Sequence, residues 1–176
     1  MQDAISAPLT QIKSMSVNMS NTELDLGLES YISVTSDDYY TPAHIFEALG
    51  LTFDLDVAAP LGGISWIPTK RYLTVADNGL TTPWDGLVWM NPPYSAPNDW
   101  VYKFINHKNG ICLVPTSKAN WFKYLWENTD GALVLPPNLK FVRGNGHAQI
   151  QYQTMMFSVG KVATDALMQS NLGRMR

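Results

Sequence analysis

The sequence predicts an α/β fold, a mostly parallel sheet flanked by helices, and three observations predict it. Short apolar runs at 53–57, 87–90, 111–114 and 132–135 have the length and composition of buried strands. Segments of helical length and mixed polarity separate several of them, from Asn98 to about Asn106 and from Trp121 to Asn128. Strands alternating with helices in this way build a sheet whose parallel strands are joined by helical crossovers. The chain has 176 residues and is 45% apolar, which fits one domain with a sizeable core.

Each element has a local reason. Residues 1–35 are polar and irregular, with Leu24, Leu26, Leu28 and Ile32 marking a short amphipathic piece. They read as an extension suited to packing on the body or on a neighbouring subunit. Order is expected from Asp37. Thr41 followed by Pro42 reads as an N-cap with proline at the first helical position, and Gly50 stops that helix. Phe53-Asp54-Leu55-Asp56-Val57 alternates apolar and acidic residues and runs into Ala58-Ala59-Pro60, a strand entering a loop. A Gly/Pro-containing stretch continues through Gly62-Gly63 to Pro83-Trp84. Strand 87–90 leads into Asn91-Pro92-Pro93-Tyr94. Asn98 or Asp99 is expected to cap the next helix, strand 111–114 ends at Pro115-Thr116-Ser117, and Gln149 to Val159 supplies one or two further strands. The body is expected to span 36–162, with 163–176 as a weakly ordered tail.

Composition narrows the function class. No apolar run approaches the roughly 18–20 residues of a membrane span, and the first twenty residues lack the apolar stretch of a secretory leader. The single cysteine, Cys112, lies in an apolar run and reads as a small buried hydrophobe. No Cys/His cluster has zinc-ligand spacing, so no metal is expected. A soluble, reducing compartment, the cytoplasm, is the expectation. The net charge of −3 divides unevenly: residues 1–100 carry three basic and twelve acidic residues, residues 101–176 nine basic and three acidic. Such asymmetry points to a polyanion partner, or to a solvated basic surface. Phosphate contact requires Lys103, Lys108, Lys118, Lys123, Lys140 and Arg143 to share a face.

Asn91-Pro92-Pro93-Tyr94 is the most informative segment. Pro92 and Pro93 fix φ, lack an N–H and restrict the residue before each of them. Backbone carbonyls there cannot join a helix or ladder, and the Asn91 oxygen can point the same way. Two acceptors hold an amino group by its hydrogens and keep its lone pair out of conjugation with the ring. Tyr94 offers a face for a planar base. A turn leaving a strand is the plainer reading of the same four residues. Their place after a buried strand favours a ligand site, because ligands of open α/β sheets lie at the carboxyl ends of strands.

The motif resembles the Asp/Asn/Ser-Pro-Pro-aromatic tetrapeptide of amino-directed S-adenosylmethionine methyltransferases. From 37 to about 160 the chain is most similar to the phage-type DNA N6-adenine methyltransferase (Dam-like) family. The likeness rests on Tyr39-Tyr40-Thr41-Pro42, Asp54-Leu55-Asp56-Val57-Ala58-Ala59, Asp77-Asn78-Gly79-Leu80, Pro83-Trp84, Val88 through Ser95 with Trp100, Val114-Pro115-Thr116, Trp121-Phe122 and Leu139-Lys140-Phe141-Val142. It implies a minimal class I, Rossmann-like methyltransferase fold, S-adenosylmethionine as cofactor, and adenine N6 in double-stranded DNA as acceptor, flipped out of the helix. It also implies a phage or prophage origin, which places the protein in the host cytoplasm. Two departures stand out. Ala58-Ala59-Pro60-Leu61-Gly62-Gly63 replaces the family's Gly-x-Gly turn, and no stretch is long enough for a separate target-recognition domain, which leaves base reading to loops such as 60–72 and 143–149.

Carried onto this sequence, the resemblance makes Asn91 the acceptor from the target amine, with Pro92 contributing its carbonyl, Pro93 completing the catalytic tetrapeptide and Tyr94 as the stacking face. Tyr39, Tyr40, Thr41, Pro42, Asp56, Ala58, Asp77 and Asn91 are the cofactor-binding candidates. Asp56 accepts from the cofactor's ammonium or caps a loop. Asp77 serves ribose hydroxyls or an ordinary Asp-Asn-Gly turn. Ser95 and Tyr94 belong to the base pocket, where Phe141 presses on the base or merely packs. Lys118, Lys140 and Arg143 are phosphate candidates. Trp84, Trp89 and Trp100 read as core, and His44, His107 and His147 as surface positions. Other acceptors, RNA adenine or a glutamine amide, stay open, as does a nucleic-acid-binding relative without turnover. A chain this small also suits a homo-oligomer.

Overall fold

The computed structural model describes residues 39–143, 146–149 and 153–175, all within one compact unit, Val34–Arg176. The expected extension 1–35 lies outside the described residues, as do residues 144–145 of the expected loop 143–149. Twelve elements follow in order: α1 (Ala43–Leu49), β1 (Leu55–Asp56), β2 (Val88–Met90), α2 (Asn98–His107), β3 (Gly110–Pro115), α3 (Asn120–Asn128), β4 (Gly131–Val134), β5 (Lys140–Arg143), β6 (Gly146–Gln149), β7 (Thr154–Val159), α4 (Lys161–Gln169) and β8 (Arg174–Met175).

Six strands form one mixed sheet in the order β1-β2-β3-β7-β4-β8, and β5 pairs with β6 as a separate ribbon. β1, β2 and β3 are parallel, whereas β7 runs antiparallel to both β3 and β4. Side-chain alternation along the central strands sends alternate residues to opposite faces. Trp89, Ile111 and Leu113 join α1 and α4 residues such as Phe46 and Leu167 in one cluster. Val88, Met90, Cys112 and Val114 join Val101, Phe104 and Leu125 of α2 and α3 in the other. The sheet is therefore buried on both sides, which is why these strands read as continuous apolar runs rather than alternating ones.

The first strand is shorter than the sequence suggests. Phe53 bridges Thr69 and Asp56 bridges Tyr72, so the irregular segment 69–73 runs beside β1 as an improvised edge. Asp54 ties the two together. It accepts from Lys70 Nζ at 2.7 Å and from the Leu87 N–H at 2.7 Å, and these contacts hold its carboxyl below the usual range.

Three expectations are corrected. Thr41 does not cap α1: Pro42 is the N-cap, with no side-chain bond, while Gly50 does close the helix in the left-handed region at φ 61°. Neither Asn98 nor Asp99 caps α2, because the helix begins at Asn98 with Pro97 as N-cap. The stretch after 162 is not a weakly ordered tail. It contains most of α4, with Ala163 and Leu167 fully buried, and β8, paired with β4. Ala163 and Ala166 are too small to have marked an apolar stripe in the sequence, and only packing against the sheet reveals it.

Candidate active site

β2 delivers Asn91 to the carboxyl edge of the sheet. Its three residues are fully buried, so the strand is rigidly set and the side chain that follows is aimed rather than free. Asn91 Nδ2 donates to the Tyr39 carbonyl at 2.9 Å, and the Tyr94 hydroxyl donates to Asn91 Oδ1 at 2.8 Å. Both ends of the amide are thus fixed. An amide oxygen has two lone pairs, so Oδ1 keeps one acceptor position beyond the Tyr94 contact. Burial pushes the Tyr94 phenol well above its ordinary value, with the neighbouring Cys112 thiol acting in the same direction, so this hydroxyl stays a donor at every working pH.

Tyr39 and Tyr40 connect this corner to β5. Tyr40 and Val142 exchange both backbone bonds at 2.9 Å. The Tyr39 ring meets Phe141 edge-on, with centroids 6.1 Å apart, and its face carries the Arg143 guanidinium at 4.5 Å. Phe141 is fully buried in the core cluster and presents no open face in this arrangement.

Beyond the ends of β1 and β2 lies a cavity of about 440 Å³, within the usual range for small-molecule sites. Its lining includes Tyr40, Ala58, Ala59, Asn78, Gly79, Pro93 and Trp100. Asp56 lies at the end of β1, immediately before the lining residues Val57 to Pro60. It is 3% exposed, and Oδ1 accepts from the Ala58 N–H at 3.2 Å. That bond does not offset the loss of solvent, and burial raises its carboxyl to about 7.

Gly79 lines the cavity and Lys103 braces the loop that carries it; the sequence marked Gly79 only within the Asp77-Asn78-Gly79-Leu80 likeness and Lys103 only among the basic residues considered for phosphate contact. A Cβ at Gly79 would overlap the Val57 carbonyl oxygen and come within 2.7 Å of the Trp100 ring. Gly79 thus lets its loop pack directly on the Val57 backbone just after β1. The Asn-Gly pair at 78–79 is the one signal that could have pointed to it. Lys103 donates to the carbonyls of Gly79, Leu80 and Thr82 at 2.8, 3.0 and 2.5 Å, with its ammonium 4.7 Å from the centre of the Trp84 ring. It is a pin for this loop, not a member of a phosphate-facing strip. Nothing in the sequence distinguishes it from the other lysines.

The remaining candidates separate. Thr41 is buried with its hydroxyl unpartnered, while its carbonyl accepts from the Trp66 indole at 2.9 Å. Pro42 is buried at the start of α1. Asp77 Oδ2 accepts from the backbone and hydroxyl of Thr74, both at 2.8 Å, which lowers its pKa and engages it in its own turn. Ser95, Lys118 and Lys140 are exposed, and Arg143 is half-buried. Trp89 is core as expected, whereas Trp84 and Trp100 are only half-buried. His44 is exposed, while His107 is half-buried with Nε2 2.8 Å from the Gly86 carbonyl.

A mixed sheet flanked by helices, with a ligand-sized cavity at the carboxyl ends of its first strands, has the architecture of an α/β methyltransferase. The family model described as DNA N-6-adenine-methyltransferase (Dam) matches residues 30–159, and the chain belongs to that family. Membership implies DNA adenine N6-methyltransferase activity and a DNA substrate. Searches of curated proteins and of solved structures each returned no match. Among the described residues no helix is long and apolar enough to cross a membrane.

Proposed function

We propose that this chain transfers a methyl group from S-adenosylmethionine to the N6 amine of a flipped adenine in double-stranded DNA, with Asn91 as the central acceptor. The observation that carries this reading is the doubly anchored Asn91 amide, two residues before Pro93 and bonded to Tyr39 next to Tyr40, where Pro93 and Tyr40 both line the cavity. The domain responsible runs from about 36 through the C-terminal α4 and β8.

The residues present fit the cofactor. Asp56 is a buried carboxylate with a raised pKa and only a backbone N–H to stabilise its charge, a group that an ammonium would pair. The unpartnered Thr41 hydroxyl is a further polar atom without a bond. The cofactor supplies an electrophilic methyl group on sulfonium. The chain's own work is positioning. Asn91 Oδ1 and the Pro92 carbonyl accept from the two amine hydrogens, so the nitrogen lone pair is held out of the ring's π system. Pro93 continues the rigid turn, and Tyr94 offers its ring to the base. The exposed Ser95, Lys118 and Lys140 and the half-buried Arg143 are the candidate DNA contacts. No general base is needed before attack, because the amine becomes acidic only once it carries the new methyl group.

Calorimetric titration with S-adenosylmethionine, followed by tritium-methyl transfer onto unmethylated DNA, tests the reading. Micromolar binding and transfer to adenine support it. A folded protein that binds no cofactor at millimolar concentration with DNA present would instead be a binding module.

A further inference from the structure

We propose that Arg143 is a positioning residue that acts on Asn91 through Tyr39, so that engagement of the β5 edge by DNA and alignment of the acceptor amide are one event. The inference rests on the function proposed above and gives Arg143 a role beyond phosphate contact. Three observations carry it. The Asn91 amide is oriented by its bond to the Tyr39 carbonyl, 2.9 Å away. Tyr39 is held on its ring by the Arg143 guanidinium at 4.5 Å and by the Phe141 edge, while Tyr40 is locked to Val142 by a pair of backbone bonds. Arg143 Nε is buried without a hydrogen-bond partner, and no carboxylate among the described residues pairs with the side chain.

An arginine whose charge is unmatched and whose flat face is already stacked is poised to accept an anion without moving. A backbone phosphate meets that chemistry, through the remaining guanidinium N–H groups. Binding it would hold the guanidinium over Tyr39 more firmly. The Tyr39 carbonyl would then hold Asn91 Nδ2, which leaves Oδ1 turned toward the amine. If the amide loses that anchor it can flip, and an –NH2 group in place of Oδ1 repels the target amine. The effect therefore falls on turnover rather than on cofactor affinity.

The experiment compares Arg143→Lys, Arg143→Met, Tyr39→Leu and Tyr39→Phe. Lysine keeps the charge but loses the planar stack, and phenylalanine keeps the ring. The first readout is the ¹⁵N-resolved side-chain amide signal of Asn91 in the free protein, assigned by its loss in Asn91→Ala. The second is kcat at saturating DNA, beside the dissociation constants for cofactor and DNA. Arg143→Lys, Arg143→Met and Tyr39→Leu are expected to shift the Asn91 signal and lower kcat on the order of tenfold, with cofactor affinity kept. Tyr39→Phe, which keeps the stacked ring and the carbonyl, is expected to leave the Asn91 signal where the wild type has it. In Tyr39→Leu/Arg143→Met the kcat loss should not exceed that of the worse single variant, as for residues acting along one path.

An unmoved Asn91 signal, or an unchanged kcat, in both Arg143 variants overturns the proposal. Weaker DNA binding alone, with turnover intact at saturation, also overturns it and leaves a simple phosphate contact. Failure of the parent reading is distinguishable. If the wild-type protein methylates no adenine, the Asn91 amide signal still reports whether Arg143 and Tyr39 set the amide's orientation.

Discussion

The Tyr94 hydroxyl donates to Asn91 Oδ1 at 2.8 Å, so the aromatic residue of the motif binds its asparagine as well as standing beside it. The sequence suggested only a stacking face. The hydrogen bond gives Tyr94 a second role, because with the Tyr39 carbonyl at the other end it fixes how the amide is turned, which on the proposed mechanism sets the atom that meets the target amine. This separates two contributions that one alanine substitution would merge. Tyr94→Phe should lower kcat by no more than about tenfold, the scale of one buried hydrogen bond, because the ring remains. Tyr94→Ala should cost much more. Single-turnover transfer rates distinguish the two, and equal losses would remove stacking from the account.

On the proposed mechanism, Asn91→Ala removes an acceptor needed most in the transition state. A fall in kcat of about 10²–10³ or more is expected, with cofactor affinity and melting temperature close to wild type. Near-normal turnover would take Asn91 out of the mechanism.

Gly79→Ala tests the close packing of this cavity-lining glycine against Val57. Its methyl group would meet the Val57 carbonyl and Trp100, neither of which yields easily. The expected result is a loss of about 1–3 kcal/mol in stability and a weakened cofactor site, read by thermal melting and calorimetry. Unaltered binding would mean that the wall does not touch the ligand.

Lys103→Met should have a related effect by another route. Three carbonyls lose their shared donor, and a destabilisation of about 1–3 kcal/mol follows from leaving such groups unsatisfied. DNA affinity should hardly change, since this ammonium is already engaged. A loss of DNA binding with normal stability would restore Lys103 to the phosphate contacts.

Asp56 gives a pH dependence with a definite sign. Its carboxyl titrates near 7 when folded, against 3.8 as its ordinary value. Between those limits the native state holds a proton that the unfolded chain has released. Asp56 therefore stabilises the free protein below about 3.8, and that stability is lost as pH rises through about 7, on the order of 4 kcal/mol at most. Cofactor binding should reverse the preference, because an ammonium favours the ionised form. Affinity is then expected to fall as pH drops below about 7, with up to one proton released on binding. Titrations in buffers of different ionisation enthalpy measure that proton. Asp56→Asn should bind weakly at every pH, with no proton released.

Much of this protein is legible in its local sequence. Runs such as 111–114 are unmistakable as strands because both faces of the sheet are covered. The proline pair at 92–93 dictates a rigid turn after a buried strand, since its two fixed φ angles and absent N–H groups follow from covalent chemistry alone. The alternation of strands and helices up to β4, and the motif residues that carry the family likeness, are likewise written in local pattern.

Other features depend on residues far apart in the chain. Asn91 meets Tyr39 across 52 positions, and Asp54 meets Leu87 across 33. The insertion of β7 between β3 and β4, the burial of α4, and the use of Gly79 for close approach to Val57 are of the same kind. So is the diversion of Lys103 from the basic surface to three loop carbonyls. The sequence by itself determined most of the central strands and helices and the rigid turn at 91–94, because backbone propensity and periodicity act over a few residues, and its motifs pointed to the family. Tertiary structure alone decided which partners orient Asn91, which glycine lets backbones meet, and which charges are free, because those depend on what folding brings within about 3 Å rather than on what neighbours a residue in the chain.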